Sequence, residues 1–161
     1  VRALLEQAGM PACFWPWAMA CYCFCENARY RFINGEYTTP YFLRFEQHCK
    51  AQIIPFGCGV YYMPPKTKPE TTKAAPRLRY GIFIGYDTAP GGMWAGQYKV
   101  VDLETFAFAD LHVEALVKSY SGIWKTENRT SIVRRLDEEK TFPLKQEYVR
   151  RNNTVHSVEE V

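Results

Sequence analysis

The chain has 161 residues, of which 47% are hydrophobic and 23% are charged, and its formal net charge is +3. This length suits one ordinary domain or two small ones, and the hydrophobic fraction supports a packed core, which argues against wholesale disorder. A mildly basic charge does not by itself indicate a nucleic-acid binder, so the positions of the basic residues matter more than their sum.

The sequence lacks the signals of a secreted or membrane protein. Its first residues have neither the charged start nor the long apolar run of a signal peptide. The apolar residues 15–24 are too few to span a bilayer and are interrupted by Pro16. Because the chain starts at Val1 within a helical pattern, we expect it to be a piece of a longer protein. Since it shows no secretory or membrane-spanning signal, the expected location is intracellular, nuclear or cytoplasmic, with no membrane partner.

Two helices are predicted at the start of the chain. An apolar stripe over residues 1–8 ends at Gly9-Met10-Pro11, which places a Gly cap and a Pro at the end of the first helix. A second amphipathic helix is predicted from about Cys13 to Asn27. Pro16 then lies in its first turn, where the missing N–H costs little.

A turn, a short helix and a strand are predicted next. Asn34-Gly35 is a turn signal, and Thr39-Pro40 predicts a short helix with Thr39 as its N-cap. Residues 53–63 form a strand region whose glycines permit a bend or bulge, and Pro64-Pro65 ends it.

A long β-hairpin is the clearest pattern in the chain. Tyr80 to Tyr86 and Gln97 to Val101 are rich in β-formers and flank a loop that contains Pro90 and several glycines. A tighter turn at residues 101–105 leads to a short strand, Phe106 to Phe108. Three short antiparallel strands of this kind predict a small barrel or a strongly twisted sheet.

The composition changes after about Lys118. Thr130 to Lys140 is predicted as a short helix with Ile132, Val133 and Leu136 on one side. Arg129 to Val161 as a whole is interpreted as a charged linker with transient helix.

Six cysteines are present, at positions 13, 21, 23, 25, 49 and 58. An even number is compatible with disulfides in a secreted protein. However, Cys21, Cys23 and Cys25 cannot share one helical face, so we interpret the cysteines as reduced, small apolar residues of an intracellular protein. Zinc binding is disfavoured because the sequence contains no Cys-x-x-Cys pair.

Eight short motifs occur in an order that resembles the copia-type retrotransposon Pol polyprotein, over roughly residues 1–117. Any one of them is weak, but eight in the same order are hard to obtain by chance. The motifs are Leu4-Leu5, Ala8-Gly9-Met10-Pro11, Phe14-Trp15-x-x-Ala18, Glu26-Asn27, Thr39-Pro40-Tyr41, Phe56-Gly57-Cys58, Gly81-x-Phe83-x-Gly85-Tyr86 and Tyr98-x-Val100-x-Asp102.

The resemblance implies an α+β fold in three parts. Residues 1–52 would be the C-terminal helices of an RNase H-like integrase core, and residues 53–118 a small SH3-like antiparallel β-barrel. Residues 119–161 would be a partly disordered linker or tail that leads toward the reverse transcriptase. The expected partners are DNA and the remainder of the polyprotein.

The resemblance also implies that the catalytic centre lies outside this chain. In the family, three acidic residues hold two Mg²⁺ or Mn²⁺ ions for DNA strand transfer. The third of these acids would precede Val1, and Glu6 is interpreted as an exposed helix residue. We therefore expect no catalytic residue, metal site or cofactor here, although the parent polyprotein would carry integrase, protease and reverse transcriptase.

DNA contact is the function that remains for this chain. The candidate DNA-binding residues are Lys66, Lys68, Lys73, Arg77 and Arg79, which lie close to Tyr61, Tyr62 and Tyr80. Lys and Arg on a barrel rim neutralise phosphates without reading sequence. The alternative to DNA binding is that these residues form a polar surface loop beside a hydrophobic strand and have no binding role. Two other functions stay open, namely a small β-barrel protein-interaction module without a nucleic-acid role and an enzyme that uses one of the cysteines.

Overall fold

The computed structural model describes residues 1–65, 77–106, 127–135 and 140–159. The fold is α+β, as predicted, with helices and antiparallel sheets. The α-helices are α1 (Arg2–Ala8), α2 (Trp15–Ala28), α3 (Pro40–Phe45) and α4 (Pro143–Glu159). The strands are β1 (Arg31–Ile33), β2 (Glu36–Thr38), β3 (Gly59–Tyr62), β4 (Arg79–Thr88), β5 (Trp94–Asp102), β6 (Glu127–Thr130) and β7 (Val133–Arg134).

The predicted helix ends are confirmed because local capping residues determine them. Gly9 ends α1 in the left-handed conformation, with φ 66°, and its N–H donates to the carbonyl of Glu6. Pro16 lies in the first turn of α2, which follows a 3-10 turn at Ala12–Phe14. Thr39 is the N-cap of α3, and its Oγ1 accepts a hydrogen bond from the Phe42 N–H at 3.0 Å.

The predicted hairpin is the centre of a five-stranded antiparallel sheet. Its strand order is β6-β5-β4-β3-β7. The glycine-rich connection reverses the chain between β4 and β5, where the Ala89 N–H donates to the carbonyl of Met93 at 2.8 Å. Glycine and proline at this position therefore marked the reversal correctly.

The five-stranded sheet is strongly curled, because its two outer strands are neighbours in sequence. Only Ser131 and Ile132 separate β6 from β7. This connection spans three Cα steps, about 10 Å at most, whereas the outer strands of a flat five-stranded sheet lie about 19 Å apart. Among the described residues no ladder joins β6 to β7, so the sheet is open and does not close into the predicted barrel.

Three predictions about the later part of the chain are wrong. Residues 129–161 are not a linker as a whole, because they contain the end of β6, all of β7 and the 17-residue helix α4, whose Leu144 is buried in the core. Residues 130–134 are not helical but belong to β6 and β7. The Thr130 hydroxyl does accept a local hydrogen bond, but from the Ile132 N–H at 3.2 Å, which stabilises a tight turn instead of a helix start. Phe106 lies in a 3-10 helix, Leu103–Phe106, and not in a strand. Ala107, Phe108 and Leu136 lie outside the described residues.

The hairpin formed by β1 and β2 was predicted only as a turn. Asn34 and Gly35 have φ values of 51° and 85°, as a two-residue hairpin turn requires. The two strands pair with each other in a two-stranded sheet that is separate from the five-stranded one.

The helices cover the curled sheet and share its core. Helix α2 packs on β4, where the Phe24 and Tyr86 rings stack with centroids 4.1 Å apart. Helix α4 packs on α1, and its Leu144 is fully buried. Buried residues from all three predicted parts of the chain thus form one cluster. The division at residues 52 and 118 stays a prediction.

Candidate nucleic-acid interface

The structure describes two of the five predicted DNA-binding residues. Lys66, Lys68 and Lys73 lie outside the described residues. Arg77 is exposed and precedes β4, and Arg79 is the first residue of that strand. These two arginines have different surroundings, and the difference decides what each can do.

Arg79 belongs to a polar network at the end of the sheet. Its Nη1 lies 3.6 Å from Oδ2 of Asp102, whose other carboxylate oxygen accepts a hydrogen bond from the buried Tyr62 hydroxyl. The Asn128 side chain donates to the same hydroxyl at 3.2 Å. Burial, together with the hydrogen bond to Asp102, raises the pKa of Tyr62. Arg79 thus neutralises a carboxylate that is tied to the core, and its charge is already partnered.

A row of side chains crosses three strands beside Arg79. Tyr61 of β3 lies opposite Tyr80 of β4 on one side and opposite Arg134 of β7 on the other. The two tyrosine rings pack at a tilt, with centroids 4.8 Å apart. Arg134 is exposed, as is the next residue, Arg135. We call Tyr61, Tyr80 and Arg134 the tyrosine–arginine row.

Sequence reasoning missed Arg134 because it placed this residue in a helix. The signal that reveals it is the pairing of β7 with β3, which joins residues far apart in the chain. The row therefore adds exposed positive charge to the tyrosines that the sequence had grouped with Arg77 and Arg79.

A cavity of about 620 Å³ lies between this end of the sheet and α4. Its charged lining residues are Arg79, Arg151, Asp102, Glu104 and Glu147. Hydrogen bonds from Arg150 and Arg151 lower the pKa of Glu147 to about 2. Because three carboxylates face two guanidinium groups, the cavity is not built to attract a phosphate.

A second cavity, of about 170 Å³, contains thiols in its lining. Cys21 and Cys25 lie one helical turn apart on α2, and the Cys25 S–H donates to the Tyr86 hydroxyl with a separation of 4.0 Å. Cys23 is exposed, which confirms that the three cysteines do not share one face. All six cysteines of the chain are free thiols.

We expect thiol-specific reagents to distinguish these cysteines in the folded protein. At pH 8 the exposed Cys23 should react first, whereas Cys13 should not react until the protein unfolds. Cys13 is buried, and burial raises its pKa to about 11, so little of the reactive thiolate is present. Peptide mapping after timed alkylation measures the order, and Cys23→Ser should remove the fast phase. Fast labelling of Cys13 in folded protein would contradict this assignment.

Within the described ranges, no group of three or more His, Cys, Asp or Glu side chains is arranged to hold a metal ion. None of the helices in the same ranges is long and apolar enough to cross a membrane. No protein-family model matches the sequence, and comparisons with curated proteins and with solved structures find no match.

Proposed function

We propose that this chain is a non-catalytic part of a copia-type retrotransposon Pol polyprotein and contributes DNA binding or core support to DNA integration. In this proposal it acts inside the cell, in the nucleus or the cytoplasm, together with the remainder of the polyprotein. The divalent metal ions, Mg²⁺ or Mn²⁺, belong to the parent integrase and not to this part. The order of the eight motifs supports the family assignment.

Contacts between the motifs add support, because residues of different motifs hold one another in place. The Gly57 N–H donates to the Phe83 carbonyl at 2.8 Å, and the Phe83 N–H donates to the Cys58 carbonyl at 2.9 Å. The rings of Tyr86, which shares a motif with Phe83, and Tyr98, which belongs to a further motif, lie with centroids 5.8 Å apart. A series of motifs that forms mutual contacts is what a divergent copy of one folded unit would retain.

The fold assignments within the proposal follow the same reasoning. A curled five-stranded antiparallel sheet supports an SH3-like module, to which β6 and β7 would belong. Helices α1 and α2 would be the last helices of the RNase H-like core. In that case the module extends toward the C-terminus beyond residue 118, its predicted boundary.

The tyrosine–arginine row is the observation that carries the DNA-binding part of the proposal. Exposed guanidinium groups of Arg77 and Arg134 would neutralise phosphates without reading sequence, and the neighbouring Tyr61 hydroxyl would donate a hydrogen bond to the backbone. Arg79 would support the site by neutralising Asp102. Phosphate contacts of this kind fix a DNA duplex in place and leave the choice of sequence to other parts of the polyprotein.

Charge reversal tests this interface. We expect the double variant Arg77→Glu/Arg134→Glu to bind a mixed-sequence DNA duplex more weakly than the wild type. The plot of log affinity against log salt concentration should become less steep by about 2, because two phosphate contacts are lost. Fluorescence anisotropy titrations between about 50 and 200 mM salt measure both quantities.

Arg2→Glu is the matched control, because Arg2 is exposed on α1 and the change in net charge per substitution is the same. An unchanged affinity in the double variant, or an equal loss per charge in Arg2→Glu, would remove the interface. Reversal at Arg79 is a poor test, since it would place a second carboxylate beside Asp102.

The alternative function is a small protein-interaction module without a nucleic-acid role. The cavity of about 620 Å³ favours it, because a lining of both charge signs suits a polar peptide better than a phosphate chain. Peptide binding would depend little on salt. A duplex affinity that is weak and insensitive to salt would therefore favour this alternative.

A further inference from the structure

Two thiols of helix α2 meet at the smaller cavity. Cys21 and Cys25 lie one helical turn apart and form a side-chain hydrogen bond with each other. Both line the cavity of about 170 Å³. Cys21 is buried, whereas Cys25 is half-buried and its Sγ lies 4.0 Å from the Tyr86 hydroxyl. This pair is distinct from Cys23, which is exposed on another face of the same helix.

The hydrogen bond between the thiols prepares one of them to act as a ligand. The form of cysteine that binds metal ions is the thiolate. The hydrogen bond from Cys21 lowers the pKa of Cys25, and the same bond raises the pKa of Cys21. Cys25 therefore loses its proton first, and the Cys21 sulfur is already directed toward it.

The spacing of the two cysteines suits a bridging atom better than a direct S–S bond. In an α-helix, the Cβ atoms of residues four apart are about 5–6 Å from each other. A disulfide requires a Cβ–Cβ distance of about 3.5–4.5 Å. A disulfide between Cys21 and Cys25 would therefore distort α2, whereas a metal ion placed between the two sulfurs would leave the helix intact.

The surroundings of the thiols favour a soft metal ion that needs few ligands. The remaining lining of the cavity is mostly apolar and includes Leu4, Ile53, Ile54, Pro55 and Phe56. A structural zinc ion requires a tetrahedral set of ligands, and the described residues contain no group of three His, Cys, Asp or Glu side chains that could hold a metal. Thiolates select Cu(I), and two of them suffice to bind it.

Lys140 supplies the charge that such a complex requires. Two thiolates and one Cu(I) ion carry one negative charge in total, which an apolar cavity without a partner would disfavour. Among the described residues of the lining, Lys140 is the one with a charged side chain. Glu26, which follows Cys25 in sequence, is paired with Arg29 and Arg31, each with a nitrogen–oxygen distance of 3.6 Å. The local charges therefore balance the complex.

We propose that Cys21 and Cys25 bind one Cu(I) ion as a pair of thiolate ligands. On binding, both S–H bonds break and two Cu–S bonds form, so two protons are released and the ion stays in the +1 state. The exposed Tyr22 and Lys140 belong to the cavity lining, which gives the ion a path from the surface. The site is separate from the Mg²⁺ or Mn²⁺ ions of the parent integrase, which prefer oxygen ligands.

Competition with bicinchoninate, a coloured Cu(I) chelator, tests the proposal on the full chain in oxygen-free buffer with ascorbate as the reductant. We expect the wild type to withdraw one Cu(I) ion per chain from the chelator. Cys25→Ser should weaken binding by more than about 100-fold, because loss of a group that merely supports a ligand already costs about 10–100-fold. Cys23→Ser is the matched control, because it removes an exposed thiol two residues away, and it should bind as tightly as the wild type.

Equal Cu(I) affinities of Cys25→Ser and Cys23→Ser would overturn the proposal. X-ray absorption at the copper edge gives a second test that changes no residue and so does not depend on the folding of a variant. In the wild type loaded with one Cu(I) ion per chain, we expect two sulfur neighbours. Three sulfur neighbours, or nitrogen and oxygen neighbours in place of sulfur, would also overturn it. Neither test involves DNA, so both are independent of the tyrosine–arginine row.

Discussion

We expect Gly57→Ala to lower the free energy of unfolding by about 2–5 kcal/mol. Gly57 has φ +78°, and an added Cβ would lie 2.2 Å from Cβ of Ala8 on α1. Left-handed backbone strain contributes about 1–2 kcal/mol, and overpacking of the core about 1–3 kcal/mol. The backbone cannot easily shift, because the Gly57 N–H donates to the carbonyl of Phe83 in β4 at 2.8 Å. Urea unfolding measures the loss.

Two further variants separate strain from collision. Gly35→Ala has a similar φ of +85°, but its added Cβ would have no neighbour within 4 Å, so we expect only the strain cost. Ala8→Gly in the Gly57→Ala background removes the methyl group that collides and should restore part of the lost stability. If Gly57→Ala and Gly35→Ala cost the same, α1 does not pack against this segment as described.

We expect Tyr86→Phe to lower the free energy of unfolding by about 2–4 kcal/mol. The Tyr86 hydroxyl accepts from the Ile54 N–H at 3.0 Å and donates to the Gln52 carbonyl at 2.9 Å. Ile54 is buried, so its N–H would be left without a partner, at about 1–3 kcal/mol. The lost bond to Gln52, which is near solvent, adds about 1 kcal/mol.

Tyr98→Phe is the control for Tyr86→Phe, because it removes a hydroxyl from the same segment with a single bond. The Tyr98 hydroxyl accepts from the Gln52 N–H at 2.9 Å, so the expected loss is about 1 kcal/mol. Equal losses in the two variants, measured by urea unfolding, would show that the Ile54 bond contributes nothing.

Alkaline pH gives a second readout of Tyr86. Burial raises its pKa above the usual value of 10.0, so the folded protein holds the phenolic proton more tightly than the unfolded chain. This contribution is complete below pH 10.0 and is lost as the pH rises through the folded-state pKa. Above pH 10 the wild type should therefore lose stability more steeply than Tyr86→Phe.

The parts of the fold that the sequence predicted are those fixed by residues close together in the chain. Gly9 and Thr39 cap helices through bonds to residues within a few positions. The β4–β5 hairpin combines two runs of β-formers with a glycine-rich turn. Strands β6 and β7 were missed because they have only four and two residues, and β5 and β3 determine their pairing.

The candidate interface shows the same difference between features set by nearby residues, which the sequence predicted, and features set by strand pairing, which it did not. Sequence reasoning placed Arg77 and Arg79 in one basic group, because adjacent charges of one sign look alike. Their difference depends on Asp102, which reaches Arg79 only through the register of β4 with β5. Likewise, Arg134 reaches Tyr61 only through the pairing of β7 with β3. The register between strands that are distant in the chain cannot be predicted from local sequence patterns.

The short link between β6 and β7 has a practical consequence for anyone who shortens this protein. A truncation at residue 118 would delete both strands together, although they occupy opposite margins of the sheet. It would leave the backbone hydrogen-bonding groups of β3 and β5 unpaired on both edges of the sheet. Unpaired edge strands of this kind pair with strands of other molecules. A soluble short form must therefore continue past Arg134, and past Leu144 if α1 is to keep its cover.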